Sequence, residues 1–164
     1  STLRQGALDK FYAREDTLSL GICNGCQLMV ELNLINLSKA ARTHAPQQVA
    51  QVREQLPSVS PIPENNSVMF NTLSGNKLGI WVAHGEGKFS LPELVGYNVI
   101  AKYSYAGYPG NPNGSDYNVA GICSKDGRHL AMMPHLERAI FPWQNAWYPA
   151  DRRNDDVTHG SRHS

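Results

Sequence analysis

The first feature of the sequence that could do chemistry is a pair of cysteines at the end of an apolar run. In the segment "LSLGICNGCQLMVEL" (residues 18–32), Cys23 and Cys26 lie three positions apart. A thiolate can act as a nucleophile, as a redox partner or as a metal ligand. The spacing therefore indicates one of three sites: a catalytic cysteine with a neighbour that packs, a redox pair, or half of a zinc site.

The residues around Cys23 favour a catalytic nucleophile. The apolar run 17–22 predicts a buried strand, and a helical pattern follows from Gly25 to about Ile35. Gly21 and Gly25 would allow a tight corner between strand and helix without Cβ clashes. A nucleophile at such a strand–turn–helix corner is a known catalytic arrangement.

The helix start would also help Cys23 electrostatically. Unpaired N–H groups and the helix dipole stabilise a thiolate at this position. The backbone N–H of Asn24 could hold the oxyanion of a tetrahedral intermediate. Cys26, one turn further along, is expected to be a small buried apolar residue.

The two other readings of the cysteine pair fit less well. A zinc site needs a second pair of ligands at short spacing, and both histidine pairs with suitable spacing lie more than a hundred residues from Cys26. A thioredoxin-like redox pair explains the cysteine spacing but not Gly21 or Gln27. The redox reading remains the second alternative.

A candidate general base for the nucleophile, His135, lies near the other end of the sequence. A catalytic cysteine usually needs a histidine, which a third group orients. The segment "MMPHLERA" (132–139) places His135 two residues before Glu137, just after a predicted strand. Cys23, His135 and Glu137 together form a plausible triad.

The elements that must position these residues predict one α/β domain. A helical pattern covers residues 2–15, and short strands are predicted at 78–85, 97–104, 119–124 and 127–134. Residues 36–66 are poorly patterned and are predicted to be loop, as is the Gly/Pro/Asn-rich segment 106–116. Helices and strands that follow one another without a linker are typical of a single α/β domain.

Composition limits the function classes. The chain has 164 residues, 41% of them hydrophobic and 18% charged, with a net charge of +1. It has no long basic run and no apolar segment of the roughly 20 residues needed to span a bilayer, so nucleic-acid or membrane binding is not expected. Three cysteines do not form a disulfide framework, which favours a cytoplasmic setting.

Several motifs together resemble a known family. "GICNGCQ" (21–27) resembles the nucleophile motif G-x-C-x-G-x-Q of class I glutamine amidotransferases, and His135 with Glu137 resembles the end of their triad. "AHGEG" (83–87), "NPNGS" (111–115) and "MMPHLER" narrow the resemblance to the glutaminase domains of phosphoribosylformylglycinamidine synthases. The resemblance implies a flavodoxin-like, three-layer α/β fold.

The resemblance also implies roles for individual residues. Cys23 would attack the carboxamide of glutamine and form a γ-glutamyl thioester, while ammonia leaves. His135 would transfer the proton, and Glu137 would orient the imidazole. The residues that would contact or border the bound glutamine are Gln27, His84, Gly85 and Glu86.

Partners and cofactors follow from the same resemblance. The ammonia would pass to a synthetase domain or subunit, where ATP and magnesium serve the conversion of formylglycinamide ribonucleotide to the amidine. No cofactor or metal is expected in this chain, which has no G-x-x-x-x-G-K-[ST] loop. The alternatives are a non-catalytic binding domain that keeps the fold, and a thiol–disulfide protein.

Parts of the sequence depart from the family. The family has about two strand–helix units before the nucleophile strand, so the resemblance predicts an N-terminally incomplete domain over 1–157, poorly active alone. Residues 39–61 do not resemble the family, and translation out of frame is one hypothesis for them. If it holds, they should form no well-packed strand. Residues 158–164 are predicted to be an irregular tail.

Overall fold

The computed structural model describes residues 2–35, 42–44, 53–55, 57–84, 87–145 and 148–152. The two α-helices of this part of the chain are α1 (Thr2–Ala13) and α2 (Asn24–Glu31). The strands are β1 (Ser19–Ile22), β2 (Arg42–His44), β3 (Arg53–Gln55), β4 (Ser58–Pro61), β5 (Leu78–Gly79), β6 (Val82–His84), β7 (Gly87–Ser90), β8 (Asn98–Tyr103), β9 (Val119–Cys123) and β10 (His129–Met132).

Six of the strands form one mixed sheet in the order β1-β10-β9-β8-β4-β5. β1 and β10 run parallel, with Ile22 opposite Met132, and the other neighbours are antiparallel. Two small antiparallel pairs, β2–β7 and β3–β6, lie outside this sheet. Because β1 and β10 are parallel, the residues that follow them emerge at the same edge of the sheet.

Apolar residues cover both faces of this sheet. Leu130 and Met132 of β10 belong to one cluster, which also contains Phe70 and Leu73. Ala131, between them, belongs to a second cluster, which contains residues of α2 and β7. Successive side chains of a strand point to opposite faces, so the sheet lies between two layers. The all-buried pattern of β9 and β10 follows from this arrangement.

Part of the segment 36–66, which the sequence predicts to be loop, is a strand. Residues 36–66 were expected to be loop, but Ser58–Pro61 form β4, between β5 and β8. Val59 is 0% exposed in the core. The out-of-frame hypothesis implied no well-packed strand within 39–61, and the buried strand at 58–61 contradicts that consequence. The loop prediction was wrong because two serines and a proline hide the alternation of buried and half-buried positions.

Some of the predictions concern residues outside the described part of the chain, and others concern membrane helices and metal sites. The predicted tail 158–164 and most of 39–61 lie outside the described residues. Within the described residues, no helix has the length and apolar character required to cross a membrane. In the same residues, no three His, Cys, Asp or Glu side chains gather to hold a metal ion.

A buried histidine makes stability depend on pH. His129, at the start of β10, is 2% exposed, and its Nδ1 lies 2.9 Å from the Ser19 hydroxyl. Burial lowers its pKa, and the charge of Arg128 lowers it further, while Asp126 opposes both. The unfolded chain therefore binds this proton more readily. We expect the free energy of unfolding to fall as pH drops below about 6.5, the ordinary histidine pKa.

The measurement is urea unfolding at pH 7.5, 6.5 and 5.5. His129→Gln should flatten the dependence, since it removes the titrating ring. A variant whose stability falls over this range as steeply as that of the parent chain would contradict this assignment.

Candidate active site

Cys23 lies in a strained turn between β1 and α2. It is the N-cap residue of α2, with φ 53° and ψ −106°, a conformation that costs free energy for any residue with a Cβ. Its N–H donates to the Met132 carbonyl at 2.9 Å, and its own carbonyl accepts from the Gln27 N–H at 3.1 Å. One bond fixes the turn to β10 and the other to α2, so the thiol is held at the corner.

Gly21 allows this corner because the helix start lies close against the strand. A Cβ at Gly21 would lie 2.7 Å from the Gly25 carbonyl oxygen and closer still to the Met29 sulfur. A Cβ at Gly25 would meet nothing within 4 Å. The expectation that both glycines are needed to avoid Cβ clashes is therefore wrong for Gly25, and only Gly21 has this steric role.

The pKa of the Cys23 thiol is higher than its position at a helix start suggests. Burial raises its pKa, and the negative charge of Glu137 adds to this. The Asn24 N–H and the Arg138 charge act in the opposite direction but do not outweigh burial. The N–H group at the helix start stabilises the thiolate as expected, but this effect is smaller than that of burial. The thiol therefore needs a base to become a nucleophile.

The base candidate follows the strand next to β1. His135 lies three residues beyond the end of β10, at the sheet edge where Cys23 follows β1. Its backbone N–H donates to the Trp81 carbonyl at 2.7 Å, which fixes the turn to the residue that precedes β6. The parallel pairing of β1 and β10 thus places two residues that are more than a hundred positions apart in the chain at the same sheet edge.

The imidazole of His135 is oriented by Glu137. Nδ1 lies 2.5 Å from Glu137 Oε1, and the ring side chain is 12% exposed. Nε2 is buried and has no hydrogen-bond partner in the described part of the chain. With the proton on Nδ1 donated to the carboxylate, Nε2 carries the free lone pair. The ring is arranged to accept a proton from a neighbouring group.

Cys26 has the character of a core residue. It is 0% exposed and packs with Met29 in the cluster on the α2 face of the sheet. Burial raises its pKa far above that of a free thiol. A redox pair needs an accessible thiolate of low pKa. Burial raises the pKa of Cys23 as well, so neither cysteine has that character, which disfavours the thiol–disulfide alternative.

The remaining predicted site residues are only partly described. Gln27 is half-buried on the first turns of α2. The backbone of His84 ends β6, but its side chain is not among the described ones. Gly85 and Glu86 lie outside the described residues. The geometry therefore places Cys23, Asn24, His135 and Glu137 at one edge of the sheet, with no hydrogen bond between His135 Nε2 and the Cys23 sulfur. The triad and the proposed glutamine contacts stay predictions.

Two residues near the thiol were missed by sequence reasoning. Tyr103, the last residue of β8, is 4% exposed, and burial together with the charges of Cys26 and Cys23 raises its pKa. Its position within a predicted strand gave no signal beyond core packing. Arg138, whose charge lowers the Cys23 pKa, directly follows Glu137. A cation next to a candidate triad was a signal that could have been used.

Arg138 leads to a test of the local electrostatics. Arg138→Gln should raise the Cys23 pKa and slow its alkylation by iodoacetamide about two- to threefold at pH 7.5, the size expected for a partly exposed charge. The adduct is quantified on the Cys23 peptide by mass spectrometry. Arg14→Gln is the matched control, since Arg14 pairs with Asp16 at the surface. Equal rates in the two variants would refute the contribution of Arg138.

Comparison with known proteins then identifies the family. The model of the CobB/CobQ-like glutamine amidotransferase domain family matches residues 2–162. The chain belongs to this family. The class I glutamine amidotransferase assignment made from the motifs is thus confirmed at the level of the family.

Curated relatives narrow the likeness. The human phosphoribosylformylglycinamidine synthase is 42% identical over 177 residues, which cover 89% of this chain and 13% of that protein. The Arabidopsis thaliana protein named probable phosphoribosylformylglycinamidine synthase, chloroplastic/mitochondrial, is 40% identical over 160 residues, or 85% of this chain and 11% of that one. The chain therefore spans only about an eighth of the length of these relatives.

A solved structure supports the fold. A chain of the structure titled PurLQS from Thermotoga maritima matches with a TM-score of 0.61 and 26% identity, over 83% of this chain and 56% of that one. The predicted α/β glutamine amidotransferase fold is confirmed by this likeness.

Proposed function

We propose that the chain is the glutaminase part of a phosphoribosylformylglycinamidine synthase. The observation that carries the proposal is that a strained nucleophile corner at Cys23 and an imidazole oriented by a carboxylate follow two paired parallel strands, at one sheet edge. The family and the names of the relatives support the same reading.

The chemistry starts with proton transfer from Cys23. Because burial keeps the thiol protonated, Nε2 of His135 takes its proton as the sulfur attacks the glutamine carboxamide carbon. The Asn24 N–H, which faces the sulfur, stabilises the oxyanion. Glu137 stabilises the imidazolium through Nδ1.

Collapse of the intermediate releases ammonia. The imidazolium of His135 returns its proton to the leaving nitrogen as the C–N bond breaks, which leaves a γ-glutamyl thioester on Cys23. A water molecule then attacks the thioester with His135 as base, and glutamate leaves. The proton on the imidazole returns to the sulfur, so the site is regenerated without a redox step.

Glutamine would be held by residues around the corner. Gln27 on α2 and the segment His84, Gly85 and Glu86 are proposed to bind it. The ammonia would pass to a synthetase domain or subunit. There, with ATP and magnesium, formylglycinamide ribonucleotide would become the amidine of de novo purine biosynthesis, in the cytoplasm. No cofactor is proposed for this chain itself.

The test is labelling with a chloromethyl ketone analogue of glutamine. Attack by the Cys23 sulfur forms an S–C bond and expels chloride, and the adduct is located by mass spectrometry. Labelling at Cys23 that glutamine blocks and glutamate blocks less supports the proposal. Cys26→Ala, which changes a buried neighbour, should label as the parent chain does. No labelling would favour the binding-domain alternative, and a reversible Cys23–Cys26 disulfide the redox alternative.

A further inference from the structure

The loop between β8 and β9 makes hydrogen bonds to β7 that a neighbouring strand would usually make. The Asn113 side-chain amide donates to the Gly87 carbonyl at 3.1 Å. The Ser115 hydroxyl accepts from the Phe89 N–H at 3.1 Å. Asp116 Oδ2 accepts from the N–H of Leu91, the residue directly after β7, at 2.9 Å. Gly87, Phe89 and Leu91 are every second residue, and the backbone groups of such residues point to the same side of a strand.

Hydrogen bonds between residues of this loop stabilise its conformation. Asn111 is 4% exposed, and its amide donates to the Ser115 carbonyl at 2.8 Å and to the Asn118 side chain at 3.0 Å. Its carbonyl oxygen accepts from the Ser115 N–H at 2.9 Å. Ser115 is 5% exposed. Buried polar groups whose bonds are all made give a rigid arrangement, so the loop can hold β7 in a defined place.

The start of β7 is connected to both halves of the candidate active site. β6, which precedes it, follows directly on Trp81, and the Trp81 carbonyl accepts from the His135 N–H. β2, the partner of β7, contacts α2, the helix that begins at the nucleophile. Gly87 also follows immediately on the segment proposed to bind glutamine. A shift at Gly87 would therefore be passed along the chain to the segment that is proposed to bind glutamine.

We propose that Asn113 and Ser115 are positioning residues that hold the start of β7 at the place glutamine binding requires. The inference rests on the proposed glutaminase function. Their described side-chain bonds go to backbone groups of β7, and the Ser115 backbone N–H donates to Asn111 Oδ1 in their own loop. Losing them should weaken glutamine binding and leave the intrinsic reactivity of the Cys23 thiol unchanged.

The experiment measures both properties on the full chain. Asn113→Ala removes the donor to Gly87, and Ser115→Ala removes the acceptor of the Phe89 N–H. Ser115→Thr keeps the hydroxyl. Asn76→Ala is the matched control, since the Asn76 amide also donates to a backbone carbonyl at 3.1 Å, that of Leu73. The readouts are the rate of Cys23 alkylation by iodoacetamide and the glutamine concentration that halves this rate.

The expected result is a split between the two readouts. Half-protection should need roughly fivefold more glutamine in Asn113→Ala and Ser115→Ala, about the effect of one hydrogen bond. Ser115→Thr and Asn76→Ala should stay within about twofold of the parent chain. Alkylation without glutamine should be unchanged in all four variants. Thermal unfolding checks folding, and Asn113→Ala decides the question should Ser115→Ala not fold.

Two outcomes would overturn the inference while leaving the proposed function standing. One is unchanged glutamine protection in both alanine variants. The other is an equal loss in Asn76→Ala, which would indicate general destabilisation. If glutamine does not protect the parent chain and the chloromethyl ketone does not label it, the proposed function fails and the inference fails with it.

Discussion

Replacing His135 by glutamine should slow labelling of Cys23 by the chloromethyl ketone at least about a hundredfold at pH 7, the usual loss when a general base is removed. The effect is expected to be this large because burial raises the Cys23 pKa, so little thiolate forms without help. The backbone bond from residue 135 to the Trp81 carbonyl survives the change. The variant should therefore keep its fold.

The pH dependence separates a missing base from a damaged site. As pH rises, solvent removes the thiol proton, so the rate of His135→Gln should rise tenfold per pH unit until the Cys23 pKa is reached. The rate of the parent chain should level off earlier. His129→Gln, which changes a histidine at the opposite end of β10, should behave as the parent chain does at pH 7. Parent-like labelling by His135→Gln at pH 7 would exclude His135 as the base.

Replacing Gly21 by alanine should destabilise the fold by about 3 kcal/mol, at the upper end of the usual cost of forcing extra atoms into a packed site. The added Cβ would be 2.7 Å from the Gly25 carbonyl oxygen and would also overlap the Met29 sulfur. The Met29 side chain can adjust, but the backbone carbonyl is held by α2. The strand and the nucleophile helix would have to separate.

Gly25→Ala is the matched control for this prediction. A Cβ there meets nothing within 4 Å, and alanine in a helix is more favourable than glycine by roughly 0.5–1 kcal/mol. Urea unfolding should thus show the two substitutions changing stability in opposite directions. Equal stabilities for Gly21→Ala and the parent chain would show that the corner has more room than the structure indicates.

Much of the nucleophile corner could be predicted from a short stretch of sequence. A strand, a glycine, a cysteine and a helical pattern within residues 17–35 predicted the turn, because backbone preferences act over a few neighbouring residues. The observed β1 and the start of α2 agree with that prediction, but α2 ends at Glu31, about four residues earlier than predicted. The role of Gly25 was predicted wrongly, since a steric role depends on which atoms surround the position.

Serine- and proline-rich strand sequence was the main source of error in the fold. β4 carries a single large apolar residue, Val59, and so its local pattern does not differ from that of a loop. Its place in the sheet comes from pairing with β5 and β8. Likewise, the bonds of Asn113 and Ser115 to β7 could not be predicted from a turn-rich segment, whose composition indicates only that the chain bends.

The sequence by itself determined which residue types were available and where the chain turns: a cysteine at a strand–helix corner, and a histidine two residues before a glutamate. Only the tertiary structure decided that they lie at the same sheet edge, through the parallel pairing of β1 with β10. It also decided that the Cys23 thiol stays protonated, since burial outweighs the helix start. The physical reason is the distance along the chain over which each effect acts. Backbone preferences depend on a few neighbouring residues, whereas strand pairing and desolvation depend on segments far apart in the chain.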